Sequence, residues 1–301
     1  MTAGDSQASG TRESARKALT GEKAAHAPSE RELPAKREKR EERQVEERSG
    51  LRTPVIYEIV RKRGDEEMAR PATSLWWSGV AAGLSISFSM LSEAILYLHT
   101  PAAPWRNLVV SLGYPVGFLM VVLSRQQLFT ENTITVILPV LAKPTWAKVG
   151  RAGRLWGIVL AANLAGTLFA ALFCTWAPVI DPDLRGAMIE VSRLGVMHHD
   201  WLETGFRAIT SGYLMAAMVW LIPAAGSSQP QLVAIMSYVI GVGGFAHVVA
   251  GSAYAFMLVA GGQLAVLPML GGVLLPALVG NILGGTALFA LIAYAQVMKE
   301  I

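Results

Sequence analysis

The sequence predicts an all-α polytopic membrane protein of six transmembrane helices, built as an inverted repeat with broken second and fifth helices. Three observations predict this. Beyond residue 73 the chain falls into six apolar blocks, at 74–98, 107–142, 153–177, 203–224, 231–262 and 265–297, each close to or above the roughly 20 residues that a hydrocarbon core requires. The second and fifth blocks are overlong and interrupted, by Ser-Arg-Gln-Gln-Leu-Phe-Thr-Glu-Asn-Thr at 124–133 and by Gly-Gly-Phe-Ala-His at 243–247. The third block contains Asn163-Leu-Ala-Gly-Thr-Leu-Phe-Ala-Ala-Leu and the sixth Asn281-Ile-Leu-Gly-Gly-Thr-Ala-Leu-Phe-Ala. Segments three spans apart must run in opposite senses, so a repeat at that interval is an inverted one.

The ends of the chain differ sharply in composition. Of 301 residues 52% are hydrophobic, yet 16 of the 26 Lys and Arg and 14 of the 22 acids precede residue 71. Residues 1–50 hold too little apolar content for a core and are expected to form a disordered, charged tail. They contain no apolar h-region, so the amino terminus is expected to stay in the cytoplasm. A sequence pI of about 9.3 raises nucleic acid as a partner. The tail argues against it, because Lys36-Arg37-Glu38-Lys39-Arg40-Glu41-Glu42-Arg43 interleaves both signs and offers almost no aromatic ring for base stacking. Cys174 is the single cysteine, so the chain can form no internal disulfide.

Residues 51–72 predict an amphipathic interfacial helix. Pro54, Val55, Ile56, Ile59, Val60 and Met68 share one face, with Arg61, Lys62 and Arg63 available to lipid headgroups. The two interrupted blocks predict half-helices that meet near the membrane midplane. Loop charge sets the orientation. Lys143, Lys148, Arg151 and Arg154 cluster between the second and third spans, whereas 178–200 carries Asp181, Asp183 and Glu190 against Arg185 and Arg193. By the positive-inside rule both termini are cytoplasmic. Trp76, Trp77 and Trp105 are expected as interface anchors, and small residues such as Gly166, Gly280, Gly284 and Gly285 as sites of close helix contact. The Asn-x-x-Gly pairs are read as packing.

His247 is the main pointer to function. An ionisable side chain at membrane depth is costly, and glycines that interrupt a span are tolerated where the freed backbone lines a cavity. No Gly-rich phosphate loop, Cys/His metal spacing or paired intramembrane carboxylates is present, so neither an enzyme nor a cofactor or metal site is expected.

Taken together, Leu128-Phe129-Thr130 in the second span, Gly244-Phe245-Ala246-His247 in the fifth and Gly280-Asn281-Ile282-Leu283-Gly284-Gly285 in the sixth resemble the formate/nitrite transporter family over residues 53–301. The charged extension resembles that of a subgroup of bacterial inner-membrane members. The resemblance implies an aquaporin-like fold, a homopentamer in the lipid bilayer, and one pore per subunit for small monovalent weak-acid anions such as formate or nitrite. It identifies His247 with the central pore histidine, and Leu128, Phe129 and Thr130 with the loop beside it. Tyr114, Phe118 and Ile240 fall at gate positions. Gly212 stands on the pathway where the family often has asparagine, Val196 where it has a vestibule lysine, Ala246 where it has glutamate, and Gln127 where an acid often precedes Leu-Phe-Thr.

A physical argument links the histidine to protons. An ion in a dry constriction faces a Born cost of nominally tens of kcal/mol, whereas protonating a carboxylate of pKa near 4 at pH 7 costs about 4 kcal/mol. Proton exchange at His247 is thus the smaller barrier, aided by half-helix amino termini that each carry about half a positive charge. Glu93 is read as an outer vestibule group, and His198 and His199 as exposed loop histidines in preference to pore-mouth groups. Arg125 and Glu131 are read either as vestibule groups or as a mutual ion pair. The alternatives are an aquaporin-like pore for a small neutral solute, and a non-transporting membrane scaffold or receptor acting through the tail.

Overall fold

The computed structural model describes residues 50–197 and 199–300. The charged tail and His198 lie outside the described residues. Ten helices follow: α1 (Thr53–Ala69), α2 (Ala72–His99), α3 (Arg106–Leu123), α4 (Asn132–Ala142), α5 (Trp146–Trp176), α6 (Pro182–Val196), α7 (Trp201–Ala225), α8 (Gln229–Val242), α9 (Val248–Ala260) and α10 (Val266–Val297). Among the described residues five helical runs are long and apolar enough to cross a membrane: α2, α3, α5, the continuous Trp201–Val242 run that contains α7 and α8, and α10. The second and fifth spans are the pairs α3/α4 and α8/α9, whose second members are short.

Starts and stops follow local chemistry. Pro54, Pro182 and Pro230 sit in first turns, where a missing N–H is harmless. Asp181, Asp200 and Thr145 cap α6, α7 and α5 by accepting first-turn amides.

Contact between helices depends on glycine. A Cβ on Gly83 of α2 would lie 2.2 Å from the Asn163 carbonyl oxygen of α5, and one on Gly166 would lie 2.4 Å from that of Val80. The second half repeats this. A Cβ on Gly212 of α7 would lie 2.4 Å from the Asn281 carbonyl oxygen of α10, and one on Gly284 would lie 2.0 Å from that of Ile209. Helix α10 widens into π turns over Met269–Leu274 and Leu283–Ala290, the second of which includes Gly284 and Gly285.

The two breaks share one backbone pattern. After α3, Arg125 N–H donates to Val122 and Gln126 N–H to Val121; after α8, Gly244 N–H donates to Gly241 and Phe245 N–H to Ile240. Arg125 (φ 53°) and Gly244 (φ 61°) hold the left-handed turn of each. Glycine takes that conformation freely, whereas for Arg125 it costs on the order of 1 kcal/mol. In this register Leu128 corresponds to His247.

Helix α1 packs part of its apolar face into the protein. Ile56, Val60 and Met68 are buried in the protein with Tyr57, the first two beside Val219 and Trp220 of α7 and Val297 of α10, while Val55 and Ile59 stay exposed. The basic side chains are engaged rather than free. Arg61 bonds Glu58 and Asp65 at 2.7 Å, and its hydrogen bond holds the Glu58 carboxyl below the usual range. Arg63 lies 3.8 Å from Glu131. The ion pair read between Arg125 and Glu131 is therefore replaced by Arg63 with Glu131, because α1 packs against the break in the second span.

Candidate functional site

Breaking a span frees backbone N–H and C=O groups that lipid cannot satisfy. Two asparagines satisfy them. Asn163 of α5 receives Phe129 N–H on Oδ1 at 2.9 Å and donates through Nδ2 to the carbonyls of Gln127 and Gly79, both at 2.8 Å. Asn281 of α10 does the same at the other break. Its Oδ1 receives Val248 N–H at 2.8 Å, and Nδ2 lies 3.0 Å from the Ala246 carbonyl and 2.8 Å from those of Ala208 and the Ser211 hydroxyl. Each asparagine thus clamps the residue at the centre of a break, Leu128 in one and His247 in the other. The Asn-x-x-Gly repeat consequently does more than pack helices. Its sequence signal was present, but the targets of the amide lie about 35 residues away in the chain and become visible only in the fold.

His247 caps α9. Its Nδ1 accepts the Ala250 N–H at 3.1 Å, and Nε2 lies 2.7 Å from Thr130 Oγ1. A ring nitrogen that accepts an N–H carries no proton of its own. The neutral ring therefore bears its proton on Nε2 and donates it to Thr130, whose hydroxyl hydrogen is left to serve another acceptor. Phe118 meets the imidazole edge to face, with centroids 5.1 Å apart and planes at 80°, and Tyr114 packs on Phe118 at 5.1 Å. The amino termini of α4 and α9 both begin beside this pair, at Asn132 and Val248.

A chamber of about 500 Å³ leads inward to His247. Tyr114, Ile240, Val196 and Glu93 lie on its wall. His199 lines it with Nδ1 2.8 Å from a Glu203 carboxylate oxygen. Phe118, Leu128, Phe129 and Thr130 stand behind the wall, all nearly fully buried. Phe129 turns toward α5, its ring 5.8 Å from that of Trp156. Gly212 does not line the chamber; it faces the Asn281 backbone, where any side chain would collide.

Three chamber residues escaped the sequence reading. Phe245 lines the turn before the histidine. Tyr254, seven residues beyond His247 and so on the same helical face, donates its hydroxyl to Glu93. Arg207 of α7 donates through Nη1 to the carbonyls of Gly243 and Gly244 at 3.2 and 3.4 Å and through Nε to Glu203 at 3.0 Å. A cation inside an apolar span was itself the available signal.

A family model described as formate/nitrite transporter matches residues 54–295. The inner membrane protein YfdC of Escherichia coli K12 is 40% identical over 255 residues, which cover 85% of this chain and 82% of the relative. The formate channel FocA of Haemophilus influenzae is 28% identical over 188 residues, 60% of this chain and 64% of the relative. Among solved structures, an FNT family ion channel aligns with TM-score 0.70 at 17% identity, covering 80% of this chain and 98% of its own. A pentameric formate channel with formate bound aligns with TM-score 0.63 at 19% identity, covering 76% and 98%.

Proposed function

Because the chain belongs to the formate/nitrite transporter family, we propose that it is a homopentameric inner-membrane channel or transporter for a small monovalent weak-acid anion such as formate or nitrite. The anion crosses as its neutral acid, with proton exchange in the chamber that ends at His247. Both termini face the cytoplasm, so the chamber opens outward. The observation that carries this reading is His247 at the closed end of the chamber, its Nε2 2.7 Å from Thr130 buried behind it. There two helix amino termini favour negative charge, the Thr130 hydroxyl behind the imidazole keeps its hydrogen for another acceptor, and Phe118 and the buried Leu128 and Phe129 exclude water beyond it.

The test is formate uptake into proteoliposomes. His247→Ala also removes a helix cap, at a cost of about 1 kcal/mol, so His247→Asn, which can still cap α9, is the informative variant. Both are expected to lose most uptake while the pentamer persists. Unchanged flux in His247→Asn counts against any role for the ring. Thr130→Val keeps the shape but removes the hydroxyl, and loss of one buried hydrogen bond of about 1.4 kcal/mol predicts roughly tenfold slower uptake. Val196 and Glu93 on the chamber wall, where the resemblance implies a lysine for the former, favour a second reading as a pore for a neutral solute. Solute flux that exceeds formate flux and ignores pH would support it.

A further inference from the structure

The chamber holds an ionisable group that the reading above leaves unused. Glu93 on α2 is 6% exposed, lines the same chamber as His247, and receives the Tyr254 hydroxyl on Oε2. Among the described residues no cation pairs with it. Arg207 is committed to Glu203 and to two backbone carbonyls, and Arg106 to the Tyr97 carbonyl and ring. The titratable groups that face Glu93 from the packed helices are Tyr114 of α3 and Tyr254 of α9. His199 and Arg207, beyond them, share the chamber wall. An intramembrane carboxyl without a counter-ion, on the wall of a transport pathway, calls for a functional account.

Of the other chamber groups, His199 is held 2.8 Å from the Glu203 carboxylate, and the rest are poorly suited to give up a proton. His247 would have to take a second proton on Nδ1 first, and so break the bond from Ala250 N–H that caps α9. Tyrosine hydroxyls ordinarily ionise near pH 10 and arginine above 12, far from the affinity of a weak-acid anion. A carboxyl and a carboxylate substrate hold protons about equally, which makes exchange between them nearly thermoneutral.

Resting on the channel reading, we propose that Glu93 is the group from which the substrate anion takes its proton in the outer chamber, with Tyr254 stabilising the carboxylate left behind. The Glu93 O–H bond breaks as the O–H bond of the substrate acid forms. The resulting carboxylate keeps the hydrogen bond from Tyr254. A hydronium ion from the outer aqueous phase then reprotonates Glu93, and the neutral acid moves on to Thr130 and His247. Net movement is one proton with each anion.

The experiment is labelled-formate uptake into proteoliposomes across about pH 5 to 8, with a lumenal pH dye, for wild type, Glu93→Gln and Glu93→Asp. Glutamine keeps an acceptor for Tyr254 but has no proton to exchange. Glu93→Gln is expected to be at least about tenfold slower than wild type at pH 7.5, and the gap should close toward pH 5, because bulk free acid rises about tenfold per pH unit. Glu93→Asp, which restores the carboxyl, should recover most of the loss. A Glu93→Gln profile that parallels wild type, or a loss equal at every pH, overturns the proposal while leaving the channel reading in place. Absence of formate uptake by wild type overturns both.

Discussion

Asn281→Ala is expected to lower the thermal midpoint of the detergent-purified protein by roughly 10 °C, the largest single-residue effect in the site. Removing the amide strands the Val248 N–H in a position 1% exposed and strips a donor from the Ala208 and Ala246 carbonyls. A buried unpaired backbone group costs about 1–3 kcal/mol, and the vacated side-chain volume adds to that. In a domain of this size each kcal/mol shifts the midpoint by about 2–4 °C. Asn163→Ala should behave alike, because Phe129 N–H and the Gln127 carbonyl lose the same partner. Asn281→Asp should not restore stability: it keeps the acceptor for Val248 but sets a carboxylate against carbonyl oxygens. Thermal size-exclusion chromatography reads all three. A midpoint for Asn281→Ala within about 2 °C of wild type would show that the clamp contributes little.

The second large effect is at the helix crossings. Gly83→Val and Gly284→Val place a branched side chain against backbone, with first-atom distances of 2.2 and 2.0 Å, so one helix must move away from its neighbour. Overpacking of a core costs about 1–3 kcal/mol where side chains can yield. Here the opposing atoms are carbonyl oxygens, so values at or above the upper end of that range are expected, together with loss of assembled protein on solubilisation. Gly153→Val is the control. It lies in α5 with nothing within 4 Å of its Cβ, and it should be neutral to mildly stabilising because glycine is a poor helix former. Equal damage at all three positions would assign the effect to valine in a helix rather than to close approach.

Much of this architecture was legible along the chain. Six apolar blocks, two interrupted, and an Asn-x-x-Gly echo between the third and sixth are local patterns. They rest on the length a span needs and on the residues that break a helix. The motifs around Leu128, His247 and Gly280 placed the protein among its relatives, and the family match confirms that placement. Tyr114, Ile240 and Glu93 line the chamber. Gly212 was expected on the pathway, but it serves the α7/α10 crossing.

Tertiary structure decided the rest, because the deciding interactions join residues far apart in sequence. Nothing local to Asn163 or Asn281 says which backbone groups its amide will satisfy, and nothing local to Tyr254 says that its hydroxyl will reach Glu93, 161 positions earlier. Helix α1 read as a membrane-surface helix because periodicity gives an apolar face without naming what covers it; the protein covers part of that face. By itself the sequence determined the spans, their breaks and an unusual histidine, since these follow from hydrophobicity and backbone preference. Only the fold decided that two asparagines hold the breaks and that His247 faces Thr130 at the end of a chamber shared with a carboxyl, since long-range hydrogen bonds depend on where the chain returns.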